Sequence, residues 1–486
     1  MPNNNFDLAA SASQEMINEG FQPDFPPGVQ EQLAAIRSQS AQPLNGSIRD
    51  LRSLLWSSID NDTSRDLDQI EVAERVTGGI QLKIAIADVD SDVAIGTPID
   101  QHAAEQTTSV YTGIKTFPML PEELSTDLTS LNENADRLAV VIDFVVATDG
   151  AVSSTGIYRA LVRNHAQLTY NGVGPWLEGK AAPPHKVAAS PALAKQLHLQ
   201  DEAAQILLEE RHSLGALNID RVEAEAVLSD GHVQGINTRQ KNRASELIEN
   251  FMVAANGVMA RTLTNAGVSS IRRVVRTPER WPRIVELAAQ SGGKLPSEPD
   301  SKALNQFLAE RKAADPVHYA DLSLAVVKLM GPGEYVLAKP GGEQPGHFAL
   351  AANDYTHSTA PNRRFADTVT QRLIKAVIAH KPAPYSDQQL DSIAHNCTLK
   401  ENAARKVERI MNKRIAAVAL HPRIGDTFDA VVTGVTPKGV FVRVLNPPAE
   451  GLLTTGQQGV DVGDQLRVQL VNTDPVRGYI DFARTH

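Results

Sequence analysis

Acidic side chains are concentrated in one short stretch of the sequence, between residues 60 and 71. The five carboxylates belong to Asp60, Asp62, Asp66, Asp68 and Glu71. Carboxylates this close together repel one another unless a cation lies between them. Oxygen ligands favour the hard cations Mg²⁺, Mn²⁺ and Ca²⁺. The stretch therefore indicates a site for a divalent cation, with a solvated acidic turn as the alternative.

Two kinds of cation site fit this spacing. An EF-hand calcium loop beginning at Asp60 would have oxygen ligands at the required positions, but Arg65 stands where the sharp turn requires glycine. The other kind is a magnesium site for phosphodiester chemistry, in which the ions activate a water and stabilise charge on the phosphate. Because arginine serves a left-handed turn badly, we expect the magnesium site and regard the calcium loop as the weakest interpretation.

Several later motifs follow the acidic stretch, which itself reads D-N-x-x-x-x-D-x-D. Residues 86–89 read IADV, residues 117–131 read FPMLPEELSTDLTSL, residues 244–256 read ASELIENFMVAAN, and residues 355–367 read YTHSTAPNRRFAD. In this order they resemble the catalytic domain of the ribonuclease II/RNase R family, the RNB domain. The G-D-x-F at Gly425 and the later V-T-P-K-G-V-F-V-R-V resemble an S1 RNA-binding domain. The resemblance covers about residues 48–486.

The resemblance implies a fold and an activity. The fold is a mixed α/β (α+β) catalytic domain over residues 48–421, followed by a small all-β OB-fold barrel over residues 422–486, with residues 1–47 as a short N-terminal extension. The activity is Mg²⁺-dependent hydrolysis of single-stranded RNA from the 3′ end to nucleoside 5′-monophosphates, with Mn²⁺ as a substitute cation. The implied metal ligands are Asp60, Asp66 and Asp68, and Asp68 matches the position most closely tied to catalysis. Arg363 matches the family arginine that meets the developing phosphate charge, a role that suits a fixed guanidinium.

Other residues are implied to contact RNA. Tyr111 has the spacing, seven residues before Pro118, of the family tyrosine that packs on the 3′-terminal bases, and stacking of this kind accepts any base. Its alternative is a core tyrosine. The other expected RNA contacts in the catalytic domain are Tyr170, Arg364 and Glu408, of which the last two would otherwise form ion pairs. In the barrel, the rings of Phe428, Phe441 and Tyr479 suit stacking, and the cations of Lys438 and Arg443 suit phosphate. Phe428 and Phe441 would equally suit the core.

Two departures from the family pattern matter. The family usually has a fourth acid directly after the third, where this chain has Gln69, and an amide adds no negative charge. A non-catalytic RNA-binding or regulatory protein that retains the RNB fold therefore stays open as the alternative function. Family members also commonly begin with two cold-shock domains, for which 47 residues are too few.

The secondary structure expected from periodicity and turn residues alternates strands and helices. Strands are expected from Gly78, over 138–147 and over 152–162, with a turn at Asp149-Gly150. Residues 176–200 are expected to carry a loop. Helices are expected over 201–215, 242–265, 366–380 and 388–420, and mostly over 284–330. Residues 425–486 are expected to form about five short strands of a Greek-key barrel.

Composition narrows the class of protein. The chain has 486 residues, one cysteine and a net charge of −10. The lone cysteine excludes an intramolecular disulfide framework, and no signal peptide or membrane helix is expected, so we expect a cytoplasmic protein. The negative charge argues against coating nucleic acid by bulk charge. Two basic stretches, 272–283 and 400–414, each carry a net charge of +4 and are expected to form solvated helix faces.

Overall fold

The structure is a computed structural model that describes residues 6–38, 47–219, 223–229, 232–239, 241–316, 319–343, 346–444 and 446–485. Its helices are α1 (Leu8–Asn18), α2 (Pro27–Ser38), α3 (Pro98–Gln106), α4 (Tyr170–Leu177), α5 (His185–Ala188), α6 (Pro191–Leu214), α7 (Arg243–Asn265), α8 (Trp281–Gln290), α9 (Ser301–Ala314), α10 (Tyr319–Met330), α11 (Phe365–Ile378) and α12 (Asp387–Leu420). No helix among the described residues combines the length and apolar character that crossing a membrane requires.

A six-stranded sheet forms the centre of the larger part of the fold, which precedes the barrel. Its strands are β1 (Ile48–Asp50), β2 (Trp56–Asp60), β3 (Gln69–Val76), β4 (Gly79–Ala87), β7 (Asp136–Ala147) and β8 (Val152–Thr169). The order is β1-β8-β2-β3-β4-β7, and β7 also pairs with the first part of β8. Ile80, Leu82, Ile84 and Ile86 of β4 are all buried on one face of the sheet. Both faces of this strand are buried over its last four residues, 84–87.

This sheet positions the acidic stretch. Strands β2 and β3 are antiparallel neighbours that meet where Ser57 lies opposite Glu71. Asp60 ends β2 and Gln69 begins β3, so both lie at one end of the sheet and the loop 61–68 connects them there. The acids of the stretch therefore gather at this end.

Three two-stranded sheets complete the strands outside the barrel. Strand β5 (Val110–Tyr111) pairs with β6 (Thr116–Phe117), β9 (Glu223–Ser229) with β10 (His232–Arg239), and β11 (Ser270–Val274) with β12 (Glu334–Ala338). Helices α7 and α11 pack with the sheet in one large core. Helix α7 starts at Asn242, whose side chain accepts hydrogen bonds from the backbone of Ala244 and Ser245, a standard way to satisfy the free N–H groups of a helix start.

The C-terminal residues form a closed five-stranded barrel. Its strands are β13 (Thr427–Thr436), β14 (Gly439–Val444), β15 (Ala449–Thr455), β16 (Gln465–Asp474) and β17 (Tyr479–Arg484), in the order β13-β14-β15-β17-β16. Ala417 and Leu420, at the end of α12, pack into the barrel core, and the turn His421–Arg423 leads from the helix to the first strand. The predicted OB-fold barrel of about five strands is confirmed.

The 34-residue helix α12 carries the second basic stretch and also holds the N-terminal segment. Glu15 and Glu19 of α1 form ion pairs with Arg414 and Lys406, at 3.1 and 2.6 Å. Leu8, Ala12 and Met16 share an apolar cluster with α12. Two cations of the second basic stretch, which was expected to be a solvated helix face, are therefore paired with the N-terminal segment.

The structure differs from the sequence-based expectations in three places. The first basic stretch is not a solvated helix face, because Arg272 and Arg273 lie buried in β11. The expected loop over 176–200 is largely helical, because Ser190 caps α6 and Pro191 fits its first turn, so α6 begins ten residues earlier than expected. The hairpin β9–β10 was not predicted at all.

Candidate active site

Asp68 is the buried centre of the site. It directly precedes β3 and is 1% exposed. Its Oδ1 accepts a hydrogen bond from the backbone N–H of Asn362 at 3.0 Å, and its Oδ2 accepts one from Nε of Arg363 at 3.1 Å. Burial raises the pKa of Asp68 to about 7, an effect that the Arg363 guanidinium opposes. Asp68, the last acid of the D-N-x-x-x-x-D-x-D pattern, and Arg363 of the later motif, 295 residues away, are therefore in direct contact.

The loop that carries Arg363 is fixed by buried polar contacts. Oδ1 of Asn256, on α7, accepts hydrogen bonds from N and Oγ of Ser358 at 2.9 and 2.7 Å. The backbone N–H of Ala360 donates to Asp367 at 2.8 Å. Thr129 donates to the amide oxygen of Asn362 at 2.5 Å. These contacts fix the backbone around Arg363, while 43% of its side chain is exposed to solvent.

Asp60 is held from the side by Gln69. The amide nitrogen of Gln69 donates to Oδ1 of Asp60 at 3.2 Å. Oδ2 of Asp60 is buried and has no hydrogen-bond partner among the described residues. Burial raises the pKa of Asp60 to about 6, and the hydrogen bond from Gln69 counteracts this shift. Gln69 thus acts as a donor to a predicted metal ligand.

Asp66 and Tyr111 join the predicted metal site to the predicted stacking residue. The phenol of Tyr111 donates to Oδ2 of Asp66 at 2.8 Å, and the side chain is 42% exposed. The backbone N–H of Tyr111 donates to Glu408 of α12 at 3.3 Å. Ser109, two residues earlier, donates from its backbone to the carbonyl of Arg363 at 3.0 Å. Tyr111 is therefore not a core residue but a partly exposed ring beside the acids.

The residues present fit a hard cation. Among the described residues, no group of three or more His, Cys, Asp or Glu side chains is already arranged to hold an ion. Asp68 is paired with Arg363 and Asp66 with Tyr111. Oδ2 of Asp60 is nevertheless buried without a partner. A buried carboxylate oxygen normally has a hydrogen-bond donor or a cation beside it. Carboxylate oxygens are the donors that Mg²⁺ and Mn²⁺ prefer. Asp60, Asp66 and Asp68 are therefore the residues that would hold such an ion.

The geometry of Gln69 leads to a first prediction. Gln69→Asp replaces the donor to Asp60 by a second carboxylate, and like charges at this distance repel. We expect the variant to melt below wild type in EDTA and to recover in millimolar Mg²⁺, where it should also need less Mg²⁺ for half-maximal cleavage. Melting curves and Mg²⁺ titrations of both proteins measure this. Equal Mg²⁺ requirements would show that the amide at residue 69 does not limit metal binding.

A cavity of about 480 Å³ adjoins the acidic loop. The residues that line it include Asn61 and Asp62 of the acidic loop, Tyr170 at the start of α4, Lys241 and Glu249. Asn171 also hydrogen-bonds Asp62. The predicted RNA contact Tyr170 therefore lies in a concave space next to the loop that carries the acids, whereas Tyr111 lies in the β5–β6 hairpin.

The structure corrects one predicted RNA contact, Phe428, and shows ion-pair partners within the protein for two others, Arg364 and Arg443. Phe428 is buried in the barrel core, edge-on to Phe482 with ring centroids 6.3 Å apart, because strand alternation turns it inward. Nε and Nη2 of Arg364 donate hydrogen bonds to the two oxygens of the buried Asp367 carboxylate, both at 2.8 Å, so this arginine fixes the loop. Arg443 pairs with Asp321 of α10 at 2.6 Å and ties the barrel to the catalytic domain.

The remaining barrel candidates face outward. Lys438 is exposed in the turn between β13 and β14, and Phe441 is half-buried on β14. Tyr479 is 58% exposed at the start of β17. The structure leaves these three side chains available on the barrel surface.

The structure also argues against a calcium loop in the acidic stretch, because this stretch leads directly into strand β3 and not into an exiting helix.

Comparison with known protein families identifies the family to which the chain belongs. The sequence model described as the RNB domain matches residues 48–380, which is more than half of the chain. The chain belongs to the RNB family. The model described as the RNase II-type exonuclease C-terminal S1 domain matches residues 426–485, which includes the five-stranded barrel.

Relatives of this RNB protein include enzymes named ribonuclease R. The chain is 29% identical to that of Escherichia coli over 449 residues, which cover 88% of this chain and 54% of that protein. It is 29% identical to that of Thermotoga maritima over 499 residues, covering 94% of this chain and 68% of that protein. The chain thus spans about half the length of the first of these relatives.

Solved structures share the fold. The apo form of Mycoplasma genitalium RNase R matches with a TM-score of 0.87 at 24% identity, covering 99% of this chain and 78% of that one. The yeast protein Ssd1, described as a pseudonuclease, matches with a TM-score of 0.72 at 16% identity, covering 97% of this chain and 58% of that one. Identities this low establish the RNB fold alone.

Several residues that shape the site were not found from the sequence. Asn362 supplies a backbone donor to Asp68, and Thr129 and Asn256 hold its loop. Backbone donors leave no mark on residue type, so no sequence signal marks the role of Asn362. Asn256 lies within the predicted motif 244–256, and its position there was a usable signal.

Proposed function

We propose that this RNB protein is a Mg²⁺-dependent exoribonuclease that hydrolyses single-stranded RNA from its 3′ end and releases nucleoside 5′-monophosphates. The observation that carries the proposal is the contact between Asp68 and Arg363, which places a fixed cation beside a buried acid at the end of the sheet. A protein that only binds RNA has no need of this pairing beside a buried, unpartnered oxygen of Asp60. The relatives named ribonuclease R support the same reaction class. With one buried cysteine, we further propose a cytoplasmic location.

The roles of the residues follow from their surroundings. Asp60, Asp66 and Asp68 would hold the metal, which when bound would supply an activated water and positive charge at the phosphate. Arg363 has a rigid base and an exposed tip, so it can contact the phosphate as negative charge develops there. Tyr111 offers its ring to the terminal bases from the same side as Asp66. Lys438, which is exposed, and Phe441, which is half-buried, would bind RNA on the barrel surface.

Tyr111 combines two roles that substitutions can separate. Tyr111→Ala removes the ring, and with it about 1–3 kcal/mol of stacking, so we expect digestion to stop at a longer limit product. Tyr111→Phe keeps the ring but loses the hydrogen bond to Asp66, so we expect the limit product of wild type with a changed Mg²⁺ requirement. Gel resolution of end products from labelled RNA measures the first effect. An identical limit product in all three proteins would contradict the stacking role.

The raised pKa values of the acids predict a pH dependence. Because the folded-state pKa of Asp68 is about 7 and that of Asp60 about 6, against an unperturbed 3.8, protonation of these carboxyls favours the folded state. Without metal, we expect this stabilisation to be complete below about pH 4 and to be lost as the pH rises to about 7. Cleavage at limiting Mg²⁺ should rise over pH 6–7, since metal and protons compete for the same oxygens.

Melting temperatures in EDTA between pH 4 and pH 8 measure the stability effect. The Asp68→Asn variant serves as the control, because its amide does not titrate and should flatten the dependence between about pH 4 and 7. A cleavage rate at limiting Mg²⁺ that does not change between pH 6 and 7 would contradict the competition between metal and protons.

A second function is favoured by one observation. Gln69 takes the place of the fourth acid, and the RNB fold also occurs in a yeast protein described as a pseudonuclease. A regulatory RNA-binding protein would use the same outward-facing barrel residues without turning over its RNA.

Incubation of the protein with end-labelled poly(A), in Mg²⁺ and in EDTA, separates the two functions. The exoribonuclease should produce progressively shorter products and mononucleotides in Mg²⁺ alone, and fluorescence anisotropy should show binding in both buffers. Full-length RNA in Mg²⁺ together with normal binding would establish the regulatory protein instead.

A further inference from the structure

A group of buried oxygen atoms lies behind the predicted catalytic acids. Ser57, Glu71 and Gln200 are each 0% exposed. Oγ of Ser57, both carboxylate oxygens of Glu71 and the amide oxygen of Gln200 have no hydrogen-bond partner among the described residues. Buried polar atoms are nearly always paired, and an unpartnered buried carboxylate is especially costly. Four such atoms in neighbouring side chains therefore point to a common ligand.

The strand register brings these side chains together. Ser57 on β2 lies directly opposite Glu71 on β3, and residues directly opposite each other in an antiparallel pair extend their side chains on the same face, with Cβ atoms about 5 Å apart. The side-chain nitrogen of Gln200, on α6, lies 3.4 Å from the carbonyl oxygen of Glu71, which places its amide oxygen beside the same residue. Helix α6 is fixed there by Gln196, which exchanges hydrogen bonds with the backbone of Ala73 at 2.9 and 2.6 Å.

The oxygens make no direct hydrogen bonds to one another, as expected for atoms that share a ligand. The Ser57 hydroxyl would donate to Glu71 if the two stood within hydrogen-bonding distance, yet neither makes such a bond. Oxygen atoms that share one cation stand apart, since each is bonded to the ion, at about 2.3–2.6 Å for Ca²⁺, and not to its neighbour. No Lys, Arg or His of the described residues forms an ion pair with Glu71 to supply the missing positive charge.

We propose that Ser57, Glu71 and Gln200 bind one buried, hard cation that is separate from the cation of the catalytic acids. The ligand set is entirely oxygen and carries one carboxyl group, that of Glu71. Burial, and next the charge of Asp60, raise the pKa of Glu71 well above its usual value, and a bound cation would offset both effects. Glu71 follows Gln69 by two residues, so both side chains extend on the same face of β3. Gln69 thus has no charge where the family has an acid, whereas Glu71, the next residue on the same face of β3, carries a carboxyl group.

The enclosure selects among cations. Mg²⁺ gives up its waters reluctantly and usually keeps several of them, whereas Ca²⁺ accepts cages built from carboxylate, hydroxyl and amide oxygens. All three ligands are fully buried. The site therefore favours an ion that sheds its water readily, either Ca²⁺ or a monovalent alkali cation. Its role is to stabilise the contact between β2, β3 and α6 on which Asp60 and Gln69 are mounted.

The test measures melting temperature against cation concentration. Asp68→Asn is the background throughout, so that the catalytic site contributes little to binding. The matched pair of variants is Glu71→Gln, which removes the buried charge at constant size, and Glu74→Gln, which removes an exposed carboxylate from the same strand. Tetramethylammonium, which is too large for the site, replaces the cations in the blank, and the separate arms contain Ca²⁺, K⁺ and Na⁺.

Ligand binding to the folded state raises the melting temperature. We expect Ca²⁺, K⁺ or Na⁺ to raise it by a few degrees in the background and in Glu74→Gln, and to leave Glu71→Gln unchanged. Metal analysis after dialysis into the effective cation should find one ion fewer in Glu71→Gln. Equal responses in the two variants would overturn the proposal and assign the gap to a water beside a neutral carboxyl group.

If Glu71→Gln fails to fold, Ser57→Ala decides the matter. It removes a ligand without leaving an uncompensated charge, so it should weaken cation binding several-fold at an unchanged melting temperature in the blank. Unchanged cation affinity in Ser57→Ala would equally overturn the proposal. Because none of these measurements uses RNA cleavage, their outcome is independent of the proposed nuclease activity.

Discussion

Asp68→Asn is expected to abolish RNA hydrolysis, with a loss in turnover of at least about 10²–10³-fold. Asp68 is the most buried of the three predicted metal ligands and also pairs with Arg363. Removing its charge weakens the metal site and releases the arginine together. RNA binding should be retained or slightly stronger, because the substitution removes a negative charge from the path of the RNA. Single-turnover cleavage and fluorescence anisotropy measure the two effects.

The matched control for this variant is Asp391→Asn on the exposed side of α12. It makes the same chemical change far along the chain and should cleave at the wild-type rate. Melting temperatures of both variants guard against loss of fold. If Asp68→Asn lost RNA binding and its cooperative melting together, Asp68 would be a structural residue and the catalytic assignment would fail.

Arg363→Lys should fail nearly as badly as Arg363→Ala, with a loss on the order of 10²–10³-fold in single-turnover rate. The guanidinium uses Nε to hold Asp68 and has further planar donors for phosphate, whereas an ammonium presents one mobile charge. Affinity for RNA should change less than the rate, because the interaction is strongest in the transition state. Rapid-quench measurements at saturating enzyme isolate the rate of the chemical step.

Arg364→Lys provides the contrast. Arg364 binds the buried Asp367 through two hydrogen bonds, so its substitution should lower the melting temperature, since it leaves a buried carboxylate incompletely paired. A normal single-turnover rate in Arg363→Lys would reject its role at the phosphate. The role of Arg363 would also be rejected if Arg363→Lys lost activity only in proportion to a loss of folded protein, as shown by a lowered melting temperature.

The parts of the fold that were predicted correctly are those encoded locally. The strands β4, β7 and β8 have apolar runs and an Asp149-Gly150 turn, and α12 has helical periodicity over 34 residues. The wrong expectations involve tertiary context. Arg272 and Arg273 count as solvated charges in a linear sequence, but β12 and α12 cover them in the fold. The start of α6 was missed because a Pro/Ala-rich segment predicts a loop until Ser190 caps it.

The candidate site shows the same division. The acids at 60, 66 and 68 and Arg363 were named from motifs, and the structure brings Asp68 and Arg363 into contact across the chain. The contact of Tyr111 with Asp66 depends on how the β5–β6 hairpin docks, which no local pattern specifies. The burial of Phe428 follows from the register of its strand, because a shift of one residue moves a ring between the core and the surface. The buried oxygens around Glu71 needed the pairing of β2 with β3 and the packing of α6.

The central claim, that this chain removes nucleotides from the 3′ end of RNA by using the acids around Asp68, is tested most directly by following both ends of one RNA. The same oligonucleotide is labelled at its 5′ end in one sample and at its 3′ end in another, and each is incubated with wild type or Asp68→Asn in Mg²⁺ or EDTA. We predict that wild type in Mg²⁺ releases the 3′ label at once as a mononucleotide, while the 5′ label passes through progressively shorter products, and that EDTA or Asp68→Asn stops both. Early release of the 5′ label, internal cleavage, or undiminished digestion by Asp68→Asn would contradict the claim.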